Sequence, residues 1–410
     1  MQVYRVGGAI RDRLLGLTTK DTDWVVTGST PEQMVSAGYL PIGKDFPVFL
    51  HPDTKQEYAL ARTERKVSRG YAGFNFNTDP AITIQQDLAR RDLTINAIAE
   101  DEQGQLIDPY HGQQDIQQRL LRHVSAAFVE DPVRVLRVAR FAARFYQLGF
   151  QIAPETRQLM KQIADSGELD ALVPERVWTE MNKALAEPDP QVFFTSLRVC
   201  GVLKTLFPEI DNLFGVPQSA SYHPEVDTGI HVMLALKKSA ELNYDNDVRF
   251  AVLTHDLGKA STPANILPSH HGHEQRGIKL TRNFCAQWRV PKATTELALM
   301  TCEFHTHIHR AYEMKPSTLL KLFMRTDSFR RPERFRKMTQ ACLSDARGRT
   351  NFEDDPYPQA AYAWKLVEQL NALDLKPVLD SGLKGKQLGQ AIQEFRLHYL
   401  KSIIEPEKIT

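Results

Sequence analysis

The chain lacks most of the features that would move it out of the ordinary globular classes. Cysteine is scarce: four in 410 residues, Cys200, Cys285, Cys302 and Cys342, with no CxxC pair. That excludes a small disulfide scaffold and reads as reduced thiols of a cytoplasmic protein. No stretch approaches the roughly 18 consecutive apolar residues of a membrane span, so no membrane is expected as a partner. The opening MQVYRVGGAIRD has no apolar segment ahead of its first charge, unlike a signal peptide. Charge of one sign is missing too. Lys+Arg 51 against Asp+Glu 50 leaves +1, so any nucleic-acid surface must come from local clustering. Internal repeats and low-complexity runs are also absent. What remains is 42% hydrophobic and 25% charged, which excludes disorder and a collagen-like repeat. The length suits two or three domains.

The first 110 residues read as mixed α/β. VYRV is a strand running into Gly7-Gly8, AIRDRLL a helix closed by Gly16, and DTDWVVTG and QEYALART two further strands. Segment 63–80 has no clean period and carries Gly70, Gly73 and Pro80, which predicts a mobile loop. From about residue 83 the spacing turns helical, through QQDLARRDLTINAIAE and DPVRVLRVARFAARF, and stays so to the C-terminus. Breaks are expected at Pro154, Pro174, 187–190 and Pro208.

Asp21 and Asp23 flank one residue at the head of the run Trp24-Val25-Val26. On a strand, i and i+2 share a face, and two adjacent carboxylates repel unless a cation lies between them. Oxygen pairs of this kind suit Mg²⁺, which grips phosphates and polarises a hydroxyl. A lone DxD is usually a solvated turn. Here Gly7-Gly8 stands at a strand-to-helix turn upstream, where backbone N–H groups can approach phosphate. Arg11 lies one turn into that helix, and Glu57 offers a third carboxylate on a neighbouring strand.

GGAIRDRLLG followed by DTDWVV resembles the first motif of the polymerase-β-like nucleotidyltransferases, in the branch of tRNA-CCA-adding enzymes and poly(A) polymerases. RRDLTINAIA (Arg90 to Ala99) is similar to that family's second motif, and EDPVRVLRVARF (Glu130 to Phe141) to its nucleotide-reading motif. The likeness continues through VPERVW, LFPEID, DTGIH, HDLGK and SDARGRT, nearly the whole chain. It implies template-independent addition to tRNA from CTP and ATP, with Mg²⁺ on Asp21 and Asp23. Gly8, Arg11, Arg91, Arg137 and Arg140 would then surround the nucleotide. In EDPVR, Asp131 and Arg134 are expected three residues apart on one side of a helix. An Asp accepts from an exocyclic amine and an Arg donates to ring acceptors, so one pair can serve cytosine and adenine and refuse uracil and guanine. Arg134, Arg137, Arg140 and Arg144 fall within an arc of roughly 120° on an ideal helix, a stripe suited to triphosphate or RNA backbone. A surface salt bridge and a solvated face are the bland alternatives.

Nine of the thirteen histidines lie within residues 223–309. In RFAVLTHDLGKA, His255-Asp256 ends an apolar helical segment, with Lys259 a turn later. Imidazole beside carboxylate suits a divalent transition metal. His231, His255-Asp256 and Asp345 follow in the order of the HD phosphohydrolase superfamily, whose four positions hold a metal that activates water against phosphate esters. Two imidazoles among four such ligands favour Ni²⁺, Co²⁺ or Mn²⁺ over Mg²⁺, and the resemblance implies 2′,3′-cyclic phosphates and terminal phosphates as substrates. His270, His273 and His305 are weaker candidates for a second metal. Cys302-x-x-His305 is half a zinc site without a partner pair and is discounted as structural zinc. Segment 321–337 carries seven Lys/Arg against two acids with three Phe interleaved. This suits an RNA-backbone patch or a solvated basic helix. Residues 351–410 carry no interpretable motif.

The expected architecture is α+β: a small polymerase-β-like head followed by a long all-helical body that includes an HD domain. The expected boundaries are a head at 1–137, a helical neck and body at 138–220, an HD domain at 221–350 and a helical tail at 351–410, in a monomer or homodimer. The expected activities are nucleotidyl transfer, with Asp21, Asp23 and Glu57 catalytic, and phosphate-ester hydrolysis, with His255 and Asp256 catalytic. The alternatives are a poly(A) polymerase, and an HD metabolite hydrolase whose head only binds nucleotide.

Overall fold

The computed structural model describes residues 1–19, 22–42, 48–66 and 74–404. They form two compact units, Met1–Phe207 and Pro208–Thr410. The first unit begins with β1 (Gln2–Val6), α1 (Gly8–Leu14), β2 (Asp23–Thr27), α2 (Pro31–Ser36), β3 (Leu40–Pro41), β4 (Val48–Leu50) and β5 (Glu57–Leu60). It continues with β6 (Thr63–Lys66), β7 (Phe74–Asn77), α3 (Ile84–Ala89), β8 (Ala99–Glu100), β9 (Leu106–Ile107), α4 (Gly112–Gln118) and β10 (Leu120–Leu121). Then come α5 (Val133–Arg144), β11 (Gln151–Ile152), α6 (Pro154–Asp165), α7 (Pro174–Leu185), α8 (Pro190–Val199) and α9 (Val202–Leu206).

Seven strands pair in the order β3-β4-β5-β2-β1-β8-β9, with β2 and β5 parallel and the remaining neighbours antiparallel. The sheet is buried on both faces, which is why β2 reads as an apolar run instead of an alternation. Val25 packs with Tyr4, Val6 and Leu88 on one face; Val26 packs with Met34, Phe49 and Tyr58 on the other.

Two expectations change here. Residues 63–66 and 74–77 pair as an antiparallel ribbon, with Thr63 opposite Asn77, so the flanks of the expected loop are strands; residues 67–73 lie outside the described residues. The second motif is not one helix either. Helix α3 ends at Ala89, Leu93 is extended, Thr94–Asn96 make a single 3-10 turn, and the chain returns to the sheet as β8. Period alone misleads because Ile95, Ala97 and Ile98 are buried around that turn and not on a helical stripe.

The second unit holds α10 (Pro208–Asp211), α11 (Thr228–Glu241), α12 (Asn246–Thr254), α13 (His273–Gln287), α14 (Lys292–His309), α15 (Pro316–Arg325), α16 (Pro332–Arg347), α17 (Pro358–Asn371), α18 (Lys376–Leu379) and α19 (Gly385–Ile404). Its core is the packing of α12 against α11, α14 and α16, around fully buried Phe250, Phe284 and Phe335. The prolines expected to break helices start them. Pro154, Pro174, Pro190 and Pro208 each open a helix, where proline's fixed φ fits and its missing N–H costs nothing. All four cysteines are buried and unpaired by disulfide.

Candidate active sites

In the head, the turn after β1 is built for close approach. Gly7 has φ +69°, and a Cβ there would stand 2.8 Å from Arg91 Nη1. A side chain at this position would be both strained and blocked. Gly8 opens α1 and has ordinary space: a Cβ added to it would meet Arg11 Nη2 at 3.5 Å. Across the strand pair, Val6 faces Asp23. Asp23 is exposed at the start of β2, and exposed Glu57 starts β5 one step before the Trp24–Tyr58 pair. Parallel strands in this register bring Asp23 and Glu57 to one end of the sheet beside the Gly7 turn. Asp21 lies outside the described residues.

The cations of the motifs are bound to acids and carbonyls of their own unit. Arg11 is buried: Nε and Nη2 donate to Asp12 Oδ1 at 2.8 and 2.7 Å, Nη1 donates to Asn96 Oδ1, and the guanidinium lies 5.1 Å from both the Phe141 and Phe145 rings. Arg91 reaches Asp87 Oδ2 at 3.3 Å and the Asn96 carbonyl at 3.3 Å. Asp92 is a hub, accepting from Leu93 N (2.9 Å), Asn96 Nδ2 (3.0 Å) and Arg137 Nε (2.7 Å). Burial pushes its carboxyl up, but Arg137 and these hydrogen bonds outweigh burial and hold it well below the usual carboxylate range. Arg140 Nε donates to Glu180 Oε2 at 2.7 Å, and Arg144 Nη2 to Asp12 Oδ2 at 3.0 Å. The arginine stripe of α5 thus faces inward, tying α5 to α1, α7 and the second motif.

Asp131 does not share a helix face with Arg134. It precedes Pro132, which disfavours helical backbone at the residue before it; Asp131 is extended and α5 begins at Val133. Its two oxygens accept from Arg176 Nη1 and Nη2 at 3.0 and 2.8 Å. Arg134 donates to the carbonyls of Ala127 (2.9 Å) and Arg90 (2.6 Å). The sequence gives no sign of the parts played by Arg176 and Glu180, since VPERVW carries no spacing that pairs it with residues forty positions upstream.

In the helical unit, α11 carries His231, the end of α12 carries His255-Asp256, and α16 carries Asp345, all buried. The fold brings these four together. His231 Nε2 lies 2.9 Å from Asp345 Oδ1, and His255 Nε2 lies 3.1 Å from Asp256 Oδ2 and 3.6 Å from Asp345 Oδ2. His255 Nδ1 donates to the Val252 carbonyl at 2.7 Å, which turns the Nε2 lone pair toward both carboxylates, as in a metal-ready imidazole. His273 and His305 are set the same way: each Nδ1 meets a backbone carbonyl, that of His270 and that of Thr301, at 2.9 and 3.0 Å. Their Nε2 atoms face one another at 3.1 Å and Asp256 Oδ1 at 3.3 and 3.7 Å. Lone pairs and buried carboxylates crowded in this way call for a cation. Burial opposes protonation of His255, yet Asp256 and Asp345 beside it push its pKa up to about 9.

His270 does not join the cluster. It bonds Thr262 Oγ1 at 2.7 Å and the Pro217 carbonyl at 3.0 Å. Lys259 Nζ lies 2.7 Å from Asp256 Oδ2 and donates to Gln218 Oε1 at 2.6 Å. The motifs give no sign of Glu225, whose Oε1 lies 2.9 Å from His231 Nδ1, nor of Tyr357. A cavity of about 800 Å³ opens onto Asp256, His273, His305, His309 and Asp345. The basic segment 321–337 is largely neutralised: Arg325 pairs with Glu303, Arg331 and Arg334 with Glu296, and Lys337 with Asp245 and Asp247. Among the described residues, no helix is long and apolar enough to cross a membrane.

Comparison with known proteins gives matches to both units. The poly A polymerase head domain matches residues 3–122, the probable RNA- and SrmB-binding site of polymerase A matches 149–214, and the HD domain matches 228–331. The "Multifunctional CCA protein" of Thioalkalivibrio sulfidiphilus is 55% identical over 403 residues, 98% of each chain. That of Teredinibacter turnerae is 54% identical over 401 residues, again 98% of each. Among solved structures, the Thermotoga maritima CCA-adding enzyme complexed with tRNA has a TM-score of 0.64 at 20% identity, over 99% of this chain and 90% of that one; it shares the fold.

Proposed function

Because this chain belongs to the family of multifunctional CCA proteins, we propose that it adds C, C and A to the 3′ end of tRNA from CTP and ATP without a nucleic-acid template, and that its helical unit hydrolyses phosphate esters. The observation that carries the first half is the end of the sheet where Asp23 and Glu57 stand beside the Gly7 turn. Asp21 and Asp23 would hold Mg²⁺, which when bound lowers the charge of the phosphates and favours the attacking 3′ hydroxyl as oxygen nucleophile. Around it, Gly7 and Gly8 give the triphosphate room. Arg91, Arg137 and Arg140 form with Asp87, Asp92 and Glu180 a preset field that needs little rearrangement when charge arrives. Asp131, held in one orientation by Arg176, accepts the exocyclic amine that C and A share, and Arg134 lies a turn away.

In the helical unit, His231, His255, Asp256 and Asp345 would hold the metal, with His273 and His305 extending the site across Asp256. Two or more imidazoles in the donor set favour Ni²⁺, Co²⁺ or Mn²⁺ over Mg²⁺. When bound, the ion supplies a water acidic enough to attack phosphorus near neutral pH. Lys259 sits close enough to Asp256 to neutralise an incoming phosphate oxygen. The substrates we assign are 2′,3′-cyclic and terminal phosphates, the ends that must be cleared before a 3′ hydroxyl is free.

The test is incubation with tRNA lacking its 3′ end, Mg²⁺ and each labelled nucleotide in turn. Two C and one A should be added; a long A tail would make it a poly(A) polymerase instead. A 2′,3′-cyclic nucleotide with Ni²⁺ or Mn²⁺ tests the second half, with His255→Ala as the inactive control.

A further inference from the structure

One chain of hydrogen bonds ends on a metal-binding carboxylate and begins in the C-terminal stretch without motifs, and neither proposed reaction uses it. Tyr357 lies just ahead of α17, and its hydroxyl is 2.7 Å from His309 Nδ1. His309 is the last residue of α14, and its Nε2 is 2.8 Å from Asp345 Oδ2. The direction of the second bond follows from its far end. A carboxylate set among the imidazoles of His231, His255 and His309 only accepts. His309 Nε2 must therefore carry a proton. Tyr357 Oη closes the other side of the ring, at Nδ1.

We propose that Tyr357 and His309 form a positioning relay that occupies Oδ2 of Asp345 and so presents Oδ1 to the metal, making Asp345 a one-oxygen ligand. The inference rests on the reading of this cluster as a metal site. Three observations support it. Oδ1 already lies 2.9 Å from His231 Nε2, about the spacing of two neighbouring ligands around an ion bound at roughly 2.1 Å. Tyr357 is half-buried and ring-packed against His309, with centroids 5.6 Å apart. The two residues come from different helical segments, α14 and the lead-in to α17, and their bonds converge on Asp345. The segment 351–410 thereby supplies a part of the site that the four-residue HD pattern does not contain.

The experiment is Co²⁺ titration of the metal-stripped full chain, followed by calorimetry and by the visible absorption of the bound ion, for wild type, Tyr357→Phe, His309→Gln and His309→Leu. His255→Ala defines the share of binding that belongs to this site. Loss of an outer hydrogen bond to a ligand lowers metal affinity by about 10- to 100-fold, and that is the expected loss in Tyr357→Phe and His309→Leu, together with a changed absorption band. His309→Gln keeps an N–H of similar reach and should recover most of the affinity. Wild-type affinity and spectrum in Tyr357→Phe and His309→Leu would overturn the relay. Equal Co²⁺ binding by wild type and His255→Ala would instead remove the metal site itself, and the relay with it.

Discussion

Arg176 grips Asp131 with both of its terminal nitrogens, at 3.0 and 2.8 Å, across forty-five residues of sequence. A carboxylate held at both oxygens cannot swing, so the direction in which it offers its remaining lone pairs is set before any nucleotide arrives. Removing Asp131 should therefore harm selection more than speed. We expect Asp131→Ala to lose about 1–3 kcal/mol of discrimination, seen as UTP and GTP incorporation in single-nucleotide assays. Arg176→Ala should reproduce part of the defect with Asp131 still present. Unchanged rejection of UTP in both variants would remove Asp131 from base reading.

Asp23→Ala should abolish nucleotide addition and leave hydrolysis of a cyclic phosphate at wild-type rate, since the two sites draw their residues from separate units. The comparison of the two activities in one preparation is the check. Addition within tenfold of wild type would place the catalytic acids elsewhere.

Gly7→Ala should be far more damaging than Gly8→Ala. The first puts a Cβ 2.8 Å from Arg91 Nη1 at a φ of +69°, while the second meets nothing closer than 3.5 Å. At φ +69° and ψ −124° the backbone lies outside the left-handed helical well, and holding a non-glycine residue in so sparsely populated a conformation costs about 1–3 kcal/mol before the displaced arginine is counted. Thermal melts and KM for CTP, measured on both variants, should separate them clearly.

The depressed Asp92 carboxyl makes a pH prediction. A group whose folded-state pKa lies below its unfolded value stabilises the fold above the unfolded pKa, near 3.9, and that stability is lost as pH falls toward the folded value. Asp92→Asn should lower the melting temperature of the first unit at pH 7, by the equivalent of about 2 kcal/mol. The gap between variant and wild type should narrow steadily below about pH 4. A gap that is constant from pH 7 to pH 3 would mean that folding does not shift the Asp92 carboxyl.

Alanine at Arg331 and Arg334 should barely change tRNA affinity. Both already share Glu296 at 2.8 and 2.7 Å, so the segment presents less free charge than its composition suggests. A filter-binding loss beyond about threefold, with a shallower salt dependence than wild type, would show that these pairs open for RNA.

How much of the molecule is legible in its residues depends on distance along the chain. β1, α1, β2 and β5 are readable because a strand or helix states itself within a few residues, as do the i, i+2 carboxylates and His255-Asp256. The order His231, His255-Asp256, Asp345 is readable through resemblance. Partners chosen by tertiary packing are not: Arg176 for Asp131, Glu180 for Arg140, Asp12 for Arg144. The α5 arginines look like a surface stripe because a helix period cannot say whether acids wait on the other side. The second motif reads as a helix for a related reason. Burial of Ile95, Ala97 and Ile98 is imposed by the sheet and α4, and three-residue spacing imitates it.

The four sulfurs carry a practical consequence. Burial pushes the Cys200 and Cys285 thiols up to about 11 and Cys302 up to about 12, and Cys342 well above its ordinary range. Almost no thiolate is available in the native protein, so alkylating reagents and mild oxidants find nothing to attack until a helix opens. The rate at which each cysteine takes a label thus becomes a clock for breathing at one known place: Cys200 at the end of α8, Cys285 within α13, Cys302 on α14 and Cys342 on α16, three residues before Asp345. Mass spectrometry of pulse-labelled protein would then read, site by site and without any introduced probe, whether added metal or tRNA changes that breathing.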